Sequence, residues 1–146
     1  MIRIYTFTYA GDAQEAVACV RCARTALPEA VVTVVDDSAA PVPPEARRAL
    51  VAYGARYRRS SFPRCGNLRG PECVRGIIAT LAKGAEDGDT VVKIDSDTAL
   101  LSGGWVRDMQ HNGLALHASG YQVPRNPSER SAYGNCYALS GRAARM

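Results

Sequence analysis

Short apolar runs alternate along this chain with longer segments in which apolar and polar residues mix at helical spacing. Ile2–Thr8 alternates in part and is rich in β-branched and aromatic residues, which predicts a strand. Gly11-Asp12 closes it. Asp12, followed three residues later by Glu15, predicts a capped helix start, and that helix runs to about Leu27, where Pro28 stops it. Val31–Val35 is a compact run of valines and threonine, the pattern of a strand buried on both faces. Asp36-Asp37-Ser38 follows, then the proline-rich Pro41-Val42-Pro43-Pro44. A second helix is expected from about Pro44 to near Gly54, a third strand at Arg56–Arg59, and a loop over Ser60–Gly70. Pro71 suits the first turn of a helix continuing to about Gly84. Asp87-Gly88-Asp89 is turn chemistry ahead of a fourth strand, Thr90–Ile94. Gly103-Gly104-Trp105 leads into a short helix and Leu114–Ala118 into a strand. Tyr121–Tyr133, with Pro124 and Pro127, reads as a polar loop, and Asn135–Leu139 as a last strand.

Strand–helix alternation of this kind implies an α/β fold with a mainly parallel, right-handed central sheet. Ligands of such sheets bind beyond the C-terminal ends of the strands. Three polar clusters fall at those ends: Thr8-Tyr9, Asp36-Asp37-Ser38 and Asp95-Ser96-Asp97.

The last of these carries the most specific chemistry. In an extended chain residues i and i+2 point the same way, so Asp95 and Asp97 would present two carboxylates to one spot. Left alone they repel. A hard divalent cation, magnesium or manganese, relieves that repulsion and keeps positions for further oxygens, such as those of a diphosphate. A carboxylate of Asp36 or Asp37 suits a base N–H or ribose hydroxyls. Tyr9 is placed to pack on a base, and Arg75, on the helix after the glycine-containing loop, to approach phosphates. Ser38 has no histidine spaced to complete a triad; His111 and His117 read as surface or strand residues.

Composition narrows the classes. At 146 residues, 47% hydrophobic and 22% charged, the chain suits one soluble domain over residues 1–146. No apolar run is long enough to span a bilayer. The N-terminus opens on a strand with no signal-peptide pattern, so a cytoplasmic protein is expected. The net charge of +4 comes from arginines 47, 48, 56, 58, 59, 64, 69 and 75. Without aromatic interleaving or a helix-turn-helix pattern, they read as a solvated face and phosphate neighbours, not as a nucleic-acid surface. Five cysteines, at 19, 22, 65, 73 and 136, argue for reduced thiols. The Cys19–Cys22 pair lies mid-helix, away from the helix N-terminus that activates a redox thiol, and no second pair makes a zinc knuckle.

Taken in order, Thr6–Tyr9, Val34–Ser38, Asn67–Glu72, Lys93–Thr98 and Gly134–Ser140 resemble family 2-type glycosyltransferases and their GT-A relatives. The resemblance implies a GT-A-like, Rossmann-like α/β/α sandwich that binds a nucleotide-diphospho-sugar. It assigns the nucleoside to Thr8, Tyr9, Asp36 and Asp37, and the metal and ribose–diphosphate to Asp95 and Asp97, with Asp97 touching the metal most directly. Gly134–Tyr137 would line the sugar and acceptor side. The family's catalytic base lies beyond that last segment, where this chain stops at Arg145-Met146; Glu129 is the only acid after Asp108. A truncated or minimal form, a partner subunit or a second copy would account for this, and the acceptor stays open.

Two other readings stand beside it. One is a non-catalytic or degenerate donor-binding module that acts through a partner. The other is a haloacid-dehalogenase-like phosphatase, which shares an Asp-x-Asp after an apolar strand but continues Gly-Thr-Leu where this chain has Thr98-Ala99-Leu100, and which needs a lysine later than Lys93. A related nucleotidyltransferase would want a glycine-rich loop after the first strand, and Thr8–Asp12 has none.

Overall fold

In a computed structural model the backbone is described for residues 1–62, 70–123 and 126–146, and the side chains for 1–62, 70–118 and 136–146. Arg64, Cys65, the 67–69 part of the Asn67–Glu72 segment and the side chains of Glu129 and Asn135 lie outside the described residues. The strands are β1 (Ile2–Thr8), β2 (Val31–Asp36), β3 (Arg56–Arg59), β4 (Thr90–Asp95), β5 (Leu116–Val123) and β6 (Asn126–Ser140). The helices are α1 (Ala13–Ala26), α2 (Pro44–Ala52), α3 (Gly70–Lys83), α4 (Gly104–His111) and the short α5 (Gly141–Ala144), with a 3-10 turn at Ala10–Asp12. Local chemistry accounts for most of these limits. Pro28 ends α1 at Leu27, whose N–H still reaches the Ala23 carbonyl at 2.9 Å. Pro44 opens α2, where a missing N–H costs nothing.

The six strands form one sheet in the order β3-β2-β1-β4-β6-β5. Neighbours from β3 to β4 are parallel; β6 runs antiparallel to both β4 and β5. The sheet is therefore mainly parallel, as the sequence pattern implies. The C-terminal third departs from that pattern. The stretch 121–133, expected as a polar loop, lies largely in the β5–β6 hairpin, where Gly120 pairs with Ala132 and Tyr121 with Ser131. The predicted strand at 135–139 falls within β6, and the one at 114–118 overlaps β5 only over 116–118. Antiparallel backbone pairing stabilises such a hairpin without apolar alternation.

Alternation through the inner strands builds two cores. Ile2, Ile4, Val32, Val34, Val92 and Ile94 face α1, α2 and α4, meeting Val20, Leu50, Val106 and Met109. Tyr5, Phe7, Val35 and Val91 face the other way, toward Leu81 of α3 and Ala144 of α5. Each such buried side chain is worth about 1.5–3 kcal/mol. At the N-terminal end of the sheet, buried Asp89 accepts from Arg3 Nε at 2.5 Å and from the Glu86 N–H at 2.9 Å, and its other oxygen lies 3.2 Å from the terminal ammonium. Burial pushes the Asp89 carboxyl up, but Arg3 and these donors outweigh it and hold it below the ordinary carboxylate value. The loop carrying Asp89 also receives Gly141, whose N–H reaches the Asp89 carbonyl at 2.7 Å. A Cβ at Gly141 would overlap the Glu86 carbonyl, so this close approach requires glycine.

Candidate functional site

β1 and β4 lie side by side, but β1 leads outward to β2 on one side while β4 is reached from β3 across the sheet. The chain thus reverses its direction of travel between β1 and β4, which opens a crevice at their C-terminal ends. Register aligns three of the sequence-predicted residues, Thr8, Asp36 and Asp95, at neighbouring strand ends. Thr8 pairs with Asp36, and Phe7 pairs with both Val35 and Asp95.

Each predicted residue has a distinct environment. Thr8 is fully buried. Tyr9, half-buried, starts the turn after β1, and its ring lies over Gly11, where a Cβ would overlap it. Asp36 is the last residue of β2, and Asp37 lies just beyond it. Asp36 joins the α1/α2 side: its carboxylate accepts from the Val42 N–H at 3.0 and 3.2 Å and from the Tyr57 hydroxyl. It pins the proline-rich loop to β3, and both its oxygens are committed to protein donors; the expectation that it serves a ligand finds no geometric support. Asp37 extends the ladder, its N–H donating to the Thr8 carbonyl at 2.9 Å. Its Oδ1 accepts from the Ala39 N–H at 3.1 Å, whereas Oδ2 is buried with no hydrogen-bond partner among the described residues. An unpaired buried carboxylate oxygen is costly, and a donor from a ligand would relieve it.

The Asp95–Asp97 segment is not extended, contrary to the sequence argument. β4 ends at Asp95, and the Thr98 N–H bonds back to the Asp95 carbonyl at 3.0 Å, so Ser96 and Asp97 lie in a turn. Ser96 is buried and donates to Asp12 Oδ2 at 2.7 Å. Asp12 therefore ties β4 to the start of α1 and makes no side-chain cap, although it occupies the expected N-cap position. Asp97 is exposed, while the Asp95 side chain is 29% exposed and accepts from buried Lys93 Nζ at 2.5 Å. Lys93 sits two residues earlier on the same strand face, with its ammonium 5.8 Å from the Tyr137 ring. Lys93, Ser96 and Asp12 are the parts of this site that sequence reasoning missed. A lone lysine inside Val91-Val92-Lys93-Ile94, two residues from an acid, was the available signal for the first. Arg75 is exposed on α3, with no hydrogen bond or ion pair among the described residues.

Two further features frame the crevice. Cys19 Sγ lies 3.6 Å from the Asp95 carbonyl and 3.9 Å from Thr6 Oγ1, and burial pushes its thiol up to about 11. Such a thiol is a packing group, as the mid-helix position of Cys19-Val20-Arg21-Cys22 suggested. Beyond Asp97, the loop 98–102 borders a cavity of about 430 Å³ closed by Trp105, His117 and Cys136. The Trp105 and His117 rings are 5.2 Å apart.

The donor set suits a hard cation: two carboxylates at a strand end, one exposed and one partly exposed. Among the described residues no group of three or more His, Cys, Asp or Glu side chains converges on a metal position.

No family model and no curated protein matches the sequence. Solved structures do match the fold. The galactosyltransferase LgtC, in complex with donor and acceptor sugar analogues, aligns over 99% of this chain with a TM-score of 0.62 and 18% identity. An active-site mutant of LgtC aligns equally well, at 17% identity. The mannosyltransferase PcManGT from Pyrobaculum calidifontis, in complex with GDP-Man and Mn2+, aligns over 95% with a TM-score of 0.56 and 13% identity. The chain has the GT-A fold of these glycosyltransferases. It spans 59% of the LgtC chain and 44% of the mannosyltransferase chain. Among the described residues of this GT-A-fold chain, no helix is long and apolar enough to cross a membrane.

Proposed function

We propose that this GT-A-fold chain binds a nucleotide-diphospho-sugar with a divalent metal, as a hexosyltransferase or as the donor-binding part of one. The reading rests on polar residues at three adjacent strand ends: Tyr9 after β1, Asp37 after β2 with an Oδ2 that has no hydrogen-bond partner among the described residues, and the acids of the turn after β4. The donor and acceptor sugar analogues bound by LgtC, and the GDP-Man and Mn2+ bound by PcManGT, support it.

In this reading Tyr9 packs on the base, and Asp37 Oδ2 accepts a hydrogen bond from a base N–H or a ribose hydroxyl. Asp97, with Asp95 behind it, holds manganese or magnesium. Such a cation, when bound, would supply Lewis-acid stabilisation for a departing nucleoside diphosphate. Each unit-charge contact at about 4 Å is on the order of 4 kcal/mol at an effective dielectric near 20, before desolvation. Lys93 orients Asp95 and offsets part of its charge, and the Ser96–Asp12 hydrogen bond fixes the turn between the two acids. Arg75 is assigned to the phosphate side as a long-range cation.

Thermal shift with nucleoside diphosphates, with and without manganese, tests the reading. Stabilisation of about 2.7 kcal/mol is expected at a hundredfold excess over Kd. It should require the cation and disappear in Asp95→Ala/Asp97→Ala. A nucleotide response indifferent to both would overturn the assignment. Sugar release from the same donors separates a transferase from a binding module.

A further inference from the structure

A second ligand-sized feature lies at the β3 edge of the sheet, on the face covered by α2. Helix α2 and edge strand β3 enclose a groove of about 400 Å³, lined by Val42, Pro44, Arg47, Arg48, Tyr57 and Arg59. Its walls carry three arginines and no acid. The Arg47 guanidinium stands 4.6 Å from the centroid of the Tyr57 ring, and Arg59 Nη1 lies 3.5 Å from the Ser38 carbonyl. Among the described residues none of the three makes an ion pair. Asp36 contacts Tyr57 from behind, but it is fully buried and committed to Tyr57 and Val42. Between Pro44 and Lys83 the sequence carries nine arginines and lysines against two acids, Glu45 and Glu72.

Converging cations without a counter-charge repel one another, and an anion that bridges them removes the repulsion. Guanidinium groups on two different elements approach from different directions, which suits a tetrahedral oxyanion better than a planar carboxylate. The groove is wider than one phosphate, and Val42 and the half-exposed Val51 supply an apolar wall beside it. We propose that the α2/β3 groove is a second anion site, taking a phosphate group carried on a larger molecule, separate from the crevice at β1 and β4.

Titration of the whole chain with inorganic pyrophosphate in EDTA, at low ionic strength, tests this without metal-dependent binding. Saturable binding is expected, weakened about tenfold or more in Arg47→Gln/Arg48→Gln and unchanged in Asp95→Ala/Asp97→Ala. Both arginines are exposed, and circular dichroism checks that the variant is folded. Arg47→Lys/Arg48→Lys, which keeps the charge and loses the fork, should fall between. Co-sedimentation with phosphatidylcholine vesicles, with and without phosphatidic acid, identifies the source. Acid-dependent sedimentation lost in the glutamine variant assigns a lipid headgroup; pyrophosphate binding without sedimentation assigns a soluble phosphate ester. Absent saturation, or equal affinity in wild type and the glutamine variant, overturns the site. Binding of single-stranded DNA through these arginines without saturable pyrophosphate binding also overturns it, in favour of a diffuse polyanion surface.

Discussion

Replacing each member of the Asp36-Asp37 pair by asparagine should change stability in opposite directions. Asp36 is fully buried, and its carboxylate accepts from the Val42 N–H and the Tyr57 hydroxyl. Asp36→Asn leaves one acceptor oxygen in place of two and removes the charge assistance of the bonds to the Val42 N–H and the Tyr57 hydroxyl, a loss of about 2–3 kcal/mol. For a domain of this size each kcal/mol shifts Tm by roughly 2–4 °C, so Tm should fall by about 4–12 °C. Asp37 is equally buried, but its Oδ2 has no hydrogen-bond partner among the described residues. Asp37→Asn keeps the Oδ1 bond to the Ala39 N–H and replaces a buried unpaired charge with a neutral amide. That should recover about 1 kcal/mol and raise Tm by roughly 2–4 °C. Differential scanning calorimetry of both variants, alone and with saturating nucleoside diphosphate and manganese, measures the contrast. Asp37→Asn should also lose most of the nucleotide-dependent stabilisation, while Asp36→Asn, where it folds, should keep it. If Asp37→Asn destabilises as much as Asp36→Asn, the distinction drawn between the two acids is refuted.

Other consequences are open to direct measurement. Ser96→Ala removes the 2.7 Å bond to Asp12 and should cost about 1–2 kcal/mol in urea unfolding; it should also weaken manganese-dependent nucleotide stabilisation, and an unaltered melting curve would count against the tie between β4 and α1. The Asp89 carboxyl is held below its ordinary 3.8, so its stabilisation is complete above about pH 4 and lost as pH falls through the lowered value. The stability gap between wild type and Asp89→Asn should therefore be full at pH 7 and shrink below pH 4, and a gap that widens in acid contradicts the assignment. Cys19, 3% exposed with its thiol raised to about 11, should be alkylated only on unfolding. Mass mapping after iodoacetamide treatment of native protein would show Cys22 modified before it.

The sequence announced the parallel half of the sheet because its signals are local. The valine run at Val31–Val35 and Pro28, Pro44 and Pro71 each mark one element by themselves. The β5–β6 hairpin was illegible because its pairing, such as Tyr121 with Ser131, relies on backbone groups that leave no trace in apolar alternation. Strand ends could be placed from the sequence, and with them Tyr9, Asp37, Asp95 and Asp97. What each acid touches could not. Asp36 is committed by a tyrosine twenty-one residues away, and Asp12 by a serine eighty-four residues away, across the sheet. A capping rule written for four consecutive residues cannot see either. The turn at Asp95–Thr98 was missed for a related reason: spacing says how side chains alternate while a strand lasts, and not where it stops.

The chain has a single tryptophan, and it borders the loop that immediately follows Asp97. Its indole is only partly exposed and sits beside His117, an environment to which fluorescence emission is sensitive. Trp105 is therefore a native optical probe of that loop. Stopped-flow mixing with nucleotide or cation can time rearrangement there without any added dye, and Trp105→Phe provides the dark control.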